Sequence, residues 1–214
     1  MKFNFFRPLE SYVMLSTLFF TEQFDRNLDL DGVAPSFQRK LLEVLNDALE
    51  CMTDPSHPAG ICLCLLFTLA IISAILGRKT RKLNDLLAVY LSVAWVVELF
   101  TMNALLLSPL KSPTLLLIEL VLFMPVIVTA FAWWYWRINV NGHHFTKSAP
   151  IGFTNTKPTP IDYFSLSLGV FFKNNVTSHT FRTKTARITS LINSMVALNI
   201  LGLTLTRAVS VAIH

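Results

Sequence analysis

Charge is scarce in this chain. Asp, Glu, Lys and Arg make up only 14% of its 214 residues, against roughly a quarter in a soluble domain. So few charges cannot cover a water-facing surface, and the 53% of hydrophobic residues point to lipid as the solvent. Cysteine is equally sparse. Cys51, Cys62 and Cys64 are an odd count and too few for a disulfide framework or a four-ligand metal site. Cys62 and Cys64, two apart on a helix, diverge by about 200° and cannot chelate one ion. The seven glycines form no phosphate cradle, and Lys79-Thr80 lacks the glycines that would precede it in such a loop. No Ser-His-Asp arrangement is visible, and no basic helix with interleaved aromatics offers a nucleic-acid surface. No catalytic residue, cofactor, metal or nucleic acid is expected.

Long apolar runs are what the sequence does have. Gly60 to Gly77 carries no charge, Leu86 to Leu107 one acid (Glu98), Thr114 to Trp136 one acid (Glu119) and a proline (Pro125), and Ile188 to Ile213 one base (Arg207). Each is near or above the length of about 20 residues needed to cross the hydrocarbon core. The expected fold is an all-α membrane protein: a bundle of four transmembrane helices, a short re-entrant or interfacial helix, and an N-terminal helical section. The parts are residues 1–59, a polar helical section; 60–137, three spans; 138–187, a polar loop with the short helix; and 188–214, the fourth span. Tyr12 to Phe20 is too short to span and lacks a cleavage site, so it reads as an interfacial or packed helix. Between Pro35 and Met52, Leu41, Leu42, Leu45, Ala48, Leu49 and Met52 recur at helical spacing, with Asp47 and Glu50 facing elsewhere.

Basic residues suggest the orientation. Arg78, Lys79, Arg81 and Lys82 follow the first span, and seven further Lys or Arg lie between 137 and 187. Positive-inside placement puts both basic loops in the cytoplasm and both termini outside, most simply in a bacterial inner membrane. Arg78, Lys79, Arg81, Lys82 and Arg137 are candidate contacts to lipid headgroups or a partner. The run Trp133-Trp134-Tyr135-Trp136-Arg137 reads as an interfacial anchor.

Polar groups inside the spans are the candidate functional residues. Glu98 lies mid-span, where an ionised carboxylate costs roughly 3 kcal/mol or more, so it must be neutral, paired or facing a wet cavity. Asn103 is five positions on, about 140° round the helix. Glu119 lies close enough to its helix start to reach the interface. On the last span, Thr189 and Asn193 are four apart, Asn199 adds a deeper amide, and Ser190 and Ser194 form a small-xxx-small pair that permits close helix approach. Glu98, Asn103, Glu119, Asn193 and Asn199 are thus the intramembrane or pore candidates, with oligomer packing as the competing reading. His143-His144, without a third ligand, reads as a solvated loop, and Asn175-Val176-Thr177 is a chance sequon if that loop is cytoplasmic.

Pro158-Thr-Pro160 introduces an apolar stretch of about 12 residues, too short to span. The run Asp162-Tyr163-Phe164-Ser165-Leu166, a short loop, Arg187 and a closing helix ending LTLTRAVS resemble the pore helix, filter and inner helix of two-transmembrane potassium-channel pore domains, and small bacterial membrane proteins related to them. The resemblance covers about a quarter of the chain. The filter place reads Gly169-Val170-Phe171-Phe172-Lys173 in place of Thr-Val-Gly-Tyr-Gly, which removes the permissive backbone that a ring of carbonyls requires. The resemblance implies a non-enzymatic, channel-like homo-oligomer, a tetramer being one such assembly. In general plan the chain is also similar to the four-span subunit of two-gene antiphage systems such as Kiwa. That implies the alternative, a membrane sensor or scaffold whose basic loops recruit a cytosolic protein. The expected partners are the lipid bilayer, further copies of the chain and, on the alternative, that cytosolic protein.

Overall fold

Where apolar residues run on without interruption, the chain coils into long helices, because only a helix satisfies its own backbone over such lengths. The computed structural model describes residues 37–76, 81–106, 113–141, 149–153, 158–172 and 179–213. Its elements are α1 (Phe37–Thr53), α2 (Pro58–Ile75), α3 (Arg81–Leu106), α4 (Pro113–Asn141), β1 (Ile151–Phe153), α5 (Pro160–Phe171), β2 (His179–Phe181) and α6 (Lys184–Ile213). Among the described residues, four helical stretches are long and apolar enough to cross a membrane: one within Arg39–Ser73, then Lys82–Ala104, Leu120–Asn139 and Lys184–Thr206. The expected segment Tyr12 to Phe20 lies outside the described residues, as do Arg78, Lys79, His143, His144 and the Asn175 sequon.

The chain forms two compact units, Met1–Val121 with Thr206–His214, and Leu122–Leu205. In the first, α1 packs on α3 and α2, and α2 packs on α3. On its inward face α1 buries Leu42 and half-buries Leu45, Leu49 and Met52, while Leu41 and Ala48, expected on that face, are exposed beside Asp47 and Glu50. At its C-terminal end the Met52 carbonyl accepts the Tyr90 hydroxyl at 2.7 Å, which satisfies one of the acceptors a helix end leaves over. A turn at Asp54–His57 separates α1 from α2, with the His57 N–H donating to the Asp54 carbonyl at 3.0 Å. Gly60 is required there: a Cβ would meet the Asp54 carbonyl oxygen at 1.9 Å. From Gly60, α2 buries a narrow seam of Leu63, Phe67 and Ala70 and exposes Ile61, Leu65, Leu69 and Ile72.

In the second unit α4 is the central element. From Val126 to Trp133 every side chain is buried, and 61% of its apolar window is interior against 22% for that of α6. The aromatic run at its end divides: Trp133 and Tyr135 are fully buried, while Trp134, Trp136 and Arg137 are half-buried. Two rings of the expected interfacial anchor are therefore core residues. Pro125 has no N–H to give the carbonyl four residues back, and its own carbonyl accepts the Thr129 hydroxyl at 2.7 Å.

A purely α-helical chain was expected, but a short antiparallel pair is present, with Ile151 opposite Phe181 and Phe153 opposite His179. Three-residue strands lie below what periodicity can resolve. The short helix expected after Pro160 is α5. Its start is fixed by Asp162, whose carboxylate accepts the Thr159 N–H at 2.7 Å and the Thr159 hydroxyl at 2.9 Å, with Pro160 preset for the first turn. Helical structure continues through Gly169 to Phe171, the place matched above to a filter.

Candidate functional site

The buried polar groups of the second unit are brought together by helical spacing. Tyr135 and Asn139 are four apart on α4, and Tyr163 and Ser167 are four apart on α5, so each pair shares a face. All four, and Asn193 on α6, are essentially inaccessible. The Asn193 amide donates to the Tyr135 hydroxyl oxygen at 3.2 Å and to the Ser167 carbonyl at 3.4 Å. The Asn139 amide donates to the Tyr163 hydroxyl oxygen at 2.9 Å, and its own oxygen accepts the Ile151 N–H at 3.1 Å. Asn139 therefore ties the end of α4 to both α5 and β1. Around this polar pair the rings of Phe153 and Tyr163 meet edge to face at 5.0 Å, and those of Tyr135 and Phe181 lie 5.8 Å apart.

Among the described residues of this unit, three buried polar atoms have no hydrogen-bond partner: Asn193 Oδ1, Ser167 Oγ and Trp133 Nε1. Each such atom costs about 1–3 kcal/mol if left unsatisfied. Amide and phenol groups are uncharged at neutral pH, so this network joins its helices by neutral hydrogen bonds.

Beside the network His179 lies against Phe153 and Phe181, with ring centroids 6.2 Å and 5.8 Å away. Burial pushes its pKa below the ordinary 6.5.

In the first unit Glu98 is the notable polar residue. Leu91, Ala94, Trp95, Thr101 and Met102 are buried on α3, and Glu98, three to seven positions from each, falls on the same stripe and is half-buried. Its carboxyl group is thus on the inward stripe of an apolar helix.

Of the other sequence candidates, Asn103 is half-buried and its amide donates to the Leu99 carbonyl of its own helix at 2.7 Å. Asn199 is exposed on α6, and Lys82 is exposed at the start of α3. Arg81 opens α3 and Glu119 lies in α4, with neither side chain among those described. Arg137 is half-buried. The candidates are divided between the two units, Glu98 and Asn103 in one and Asn193 and Asn199 in the other.

Sequence reasoning missed Tyr135, Tyr163 and Ser167 as partners of buried amides. The i, i+4 spacing of Tyr135 with Asn139 was a usable signal, but it lay inside a run read as an anchor. It also missed Glu50, Asp54 and His57, which each bring one possible ligand atom within 4.8 Å of the others at the α1–α2 turn. Glu50 and His57 are exposed, and among the described residues these three could hold a cation. The three cysteines are free thiols. Compared with known proteins, the chain matches no family model, no curated protein and no solved structure.

Proposed function

We propose that this chain is a multi-pass membrane protein that works as a non-enzymatic, channel-like homo-oligomer, with Glu98 on the conducting or switching path. The position of Glu98 carries the reading. A carboxyl group within an apolar helix and on its inward stripe is costly at membrane depth and defaults to ion, proton or switching work. The membrane part of the reading is supported by surface composition. α2 turns Ile61, Leu65, Leu69 and Ile72 outward, α3 turns out Val89, Val93, Val96 and Phe100, and the short α5 turns out Ile161, Phe164 and Leu168, with Phe172 exposed just after it. A 12-residue helix with one packed face and one apolar exposed face suits the interface between headgroups and acyl chains.

The test is ion flux through the purified full-length protein in liposomes, wild type beside Glu98→Gln. Flux in the wild type that falls at least tenfold in the variant, with equal reconstitution, supports the reading. Equal flux in both removes Glu98 from the path, and no flux under any gradient removes the channel. The alternative, a membrane scaffold that recruits a cytosolic partner, is favoured by one observation: residues 150–153 and 179–182 form a hydrogen-bonded pair of strands. A soluble protein retained by wild-type membranes and lost on substitutions in that element would support it.

A further inference from the structure

One end of the Leu122–Leu205 unit gathers cations beside exposed apolar side chains. Four elements meet there. Asn139, in the last turn of α4, donates to the Tyr163 hydroxyl oxygen in the first turn of α5 and accepts the Ile151 N–H of β1. β1 pairs with β2, and the Phe181 carbonyl of β2 accepts Nε of Arg187 from the first turn of α6. Arg182, Lys184 and Arg187 are all exposed at this end.

The charge of the unit is almost all of one sign. Between Leu122 and Leu205 the sequence holds seven Lys or Arg and a single acid, Asp162, whose carboxylate already accepts the Thr159 N–H and hydroxyl. The bond that Arg187 gives to a neutral carbonyl leaves its guanidinium charge in place. On α6, Lys184, Arg187, Ile188 and Leu191 fall at i, i+3, i+4 and i+7, so they share one face, and all four are exposed. Cations therefore head a stripe that turns apolar within a single turn. At the start of α5, Phe164 is exposed and Ile161 is 74% exposed, more than any other large apolar side chain among the described residues.

The pairing of cations with apolar residues selects the occupant. A polyanion in solution would meet the bases and leave Ile161, Phe164 and Ile188 in water. A phospholipid covers both, because its phosphate lies where basic side chains at the end of an apolar span reach and its chains begin just beneath. We propose that this end of the unit binds anionic phospholipid, with Arg182, Lys184 and Arg187 at the phosphodiester and Ile161, Phe164, Ile188 and Leu191 against the acyl chains. This rests on the membrane reading above and names the lipid class and the residues that recognise it.

The test inserts the full-length protein into nanodiscs holding equal amounts of a phosphatidylglycerol and a phosphatidylcholine with the same acyl chains, then reads the retained lipid by native mass spectrometry. The wild type should retain phosphatidylglycerol in preference. Lys184→Gln and Arg182→Gln should each lower that preference by up to about fivefold, as the loss of one cation near an anionic surface implies, and Lys184→Arg should keep it. Lys40→Gln, which removes an exposed cation of α1, should leave it unchanged, and Ile161→Ser should reduce the phosphatidylglycerol retained. Entry into nanodiscs with equal retention of both lipids overturns the site and leaves the membrane reading standing, whereas a protein that stays in solution without detergent and does not enter nanodiscs overturns both. A preference that survives Lys184→Gln and Arg182→Gln together puts the lipid elsewhere and overturns this site. Displacement of the lipid by glycerol phosphate, with Ile161→Ser without effect, overturns the lipid in favour of a simple anion.

Discussion

At the residue scale the buried amides carry the clearest consequences. Asn139 satisfies the Ile151 N–H and meets the Tyr163 hydroxyl from a fully buried position. Asn139→Ala leaves a buried N–H without its acceptor, and should cost about 1–3 kcal/mol, read as a lower midpoint in thermal unfolding followed by tryptophan fluorescence. Asn193→Ala removes the donor to Tyr135 and Ser167 but also deletes the unmatched Oδ1, so its loss should be the smaller of the two. The order would be reversed if Asn193 were the true keystone. His179 gives a pH dependence of known sign. Its folded-state pKa lies below 6.5, so between that value and 6.5 the unfolded chain holds a proton that the folded chain does not. Stability is then fully present above pH 6.5 and falls as the pH drops through the window beneath it. Melting curves from pH 7.5 to pH 5 should show this slope, and His179→Phe should flatten it.

At the element scale the turn between α1 and α2 is set by contact between backbones. Because the atom a Cβ would strike at residue 60 is the Asp54 carbonyl oxygen, no side-chain rotation relieves it, and Gly60→Ala must move α2 or break the turn. Protease cutting near residues 54–60 should rise sharply in that variant. Gly152→Ala, where the nearest atoms belong to the Arg182 and Thr180 side chains, should be tolerated much better. The α2, α3, α4 and α6 runs were legible because a continuous apolar stretch needs no tertiary information, and α5 because Pro160 marks its start and Asp162 fixes it. The strands were illegible for the opposite reason. Ile151–Phe153 is ordered by Asn139, twelve residues earlier, and by its pairing with His179–Phe181. Likewise Trp133 and Tyr135 carry the composition of an anchor, and only packing in three dimensions decides that they point inward.

At the scale of the whole molecule, sequence singled out Glu98 and counted Asn193 among the intramembrane polar candidates but could not say which polar groups meet. That depends on which helix faces close on one another. Within the Leu122–Leu205 unit the meeting of Asn193 with Tyr135, and of Asn139 with Tyr163, joins residues up to 58 apart in sequence. The same unit holds the strand pair at both of its ends. Asn139, in the last turn of α4, accepts from Ile151, while Arg187, in the first turn of α6, donates through Nε to the Phe181 carbonyl at 3.1 Å. Arg182 closes the excursion by donating its N–H to the Pro150 carbonyl at 2.9 Å. Arg187, the paired strands, Ile151, Asn139 and the Tyr163 hydroxyl therefore lie on one unbroken hydrogen-bonded path from the surface of α6 to a buried phenol.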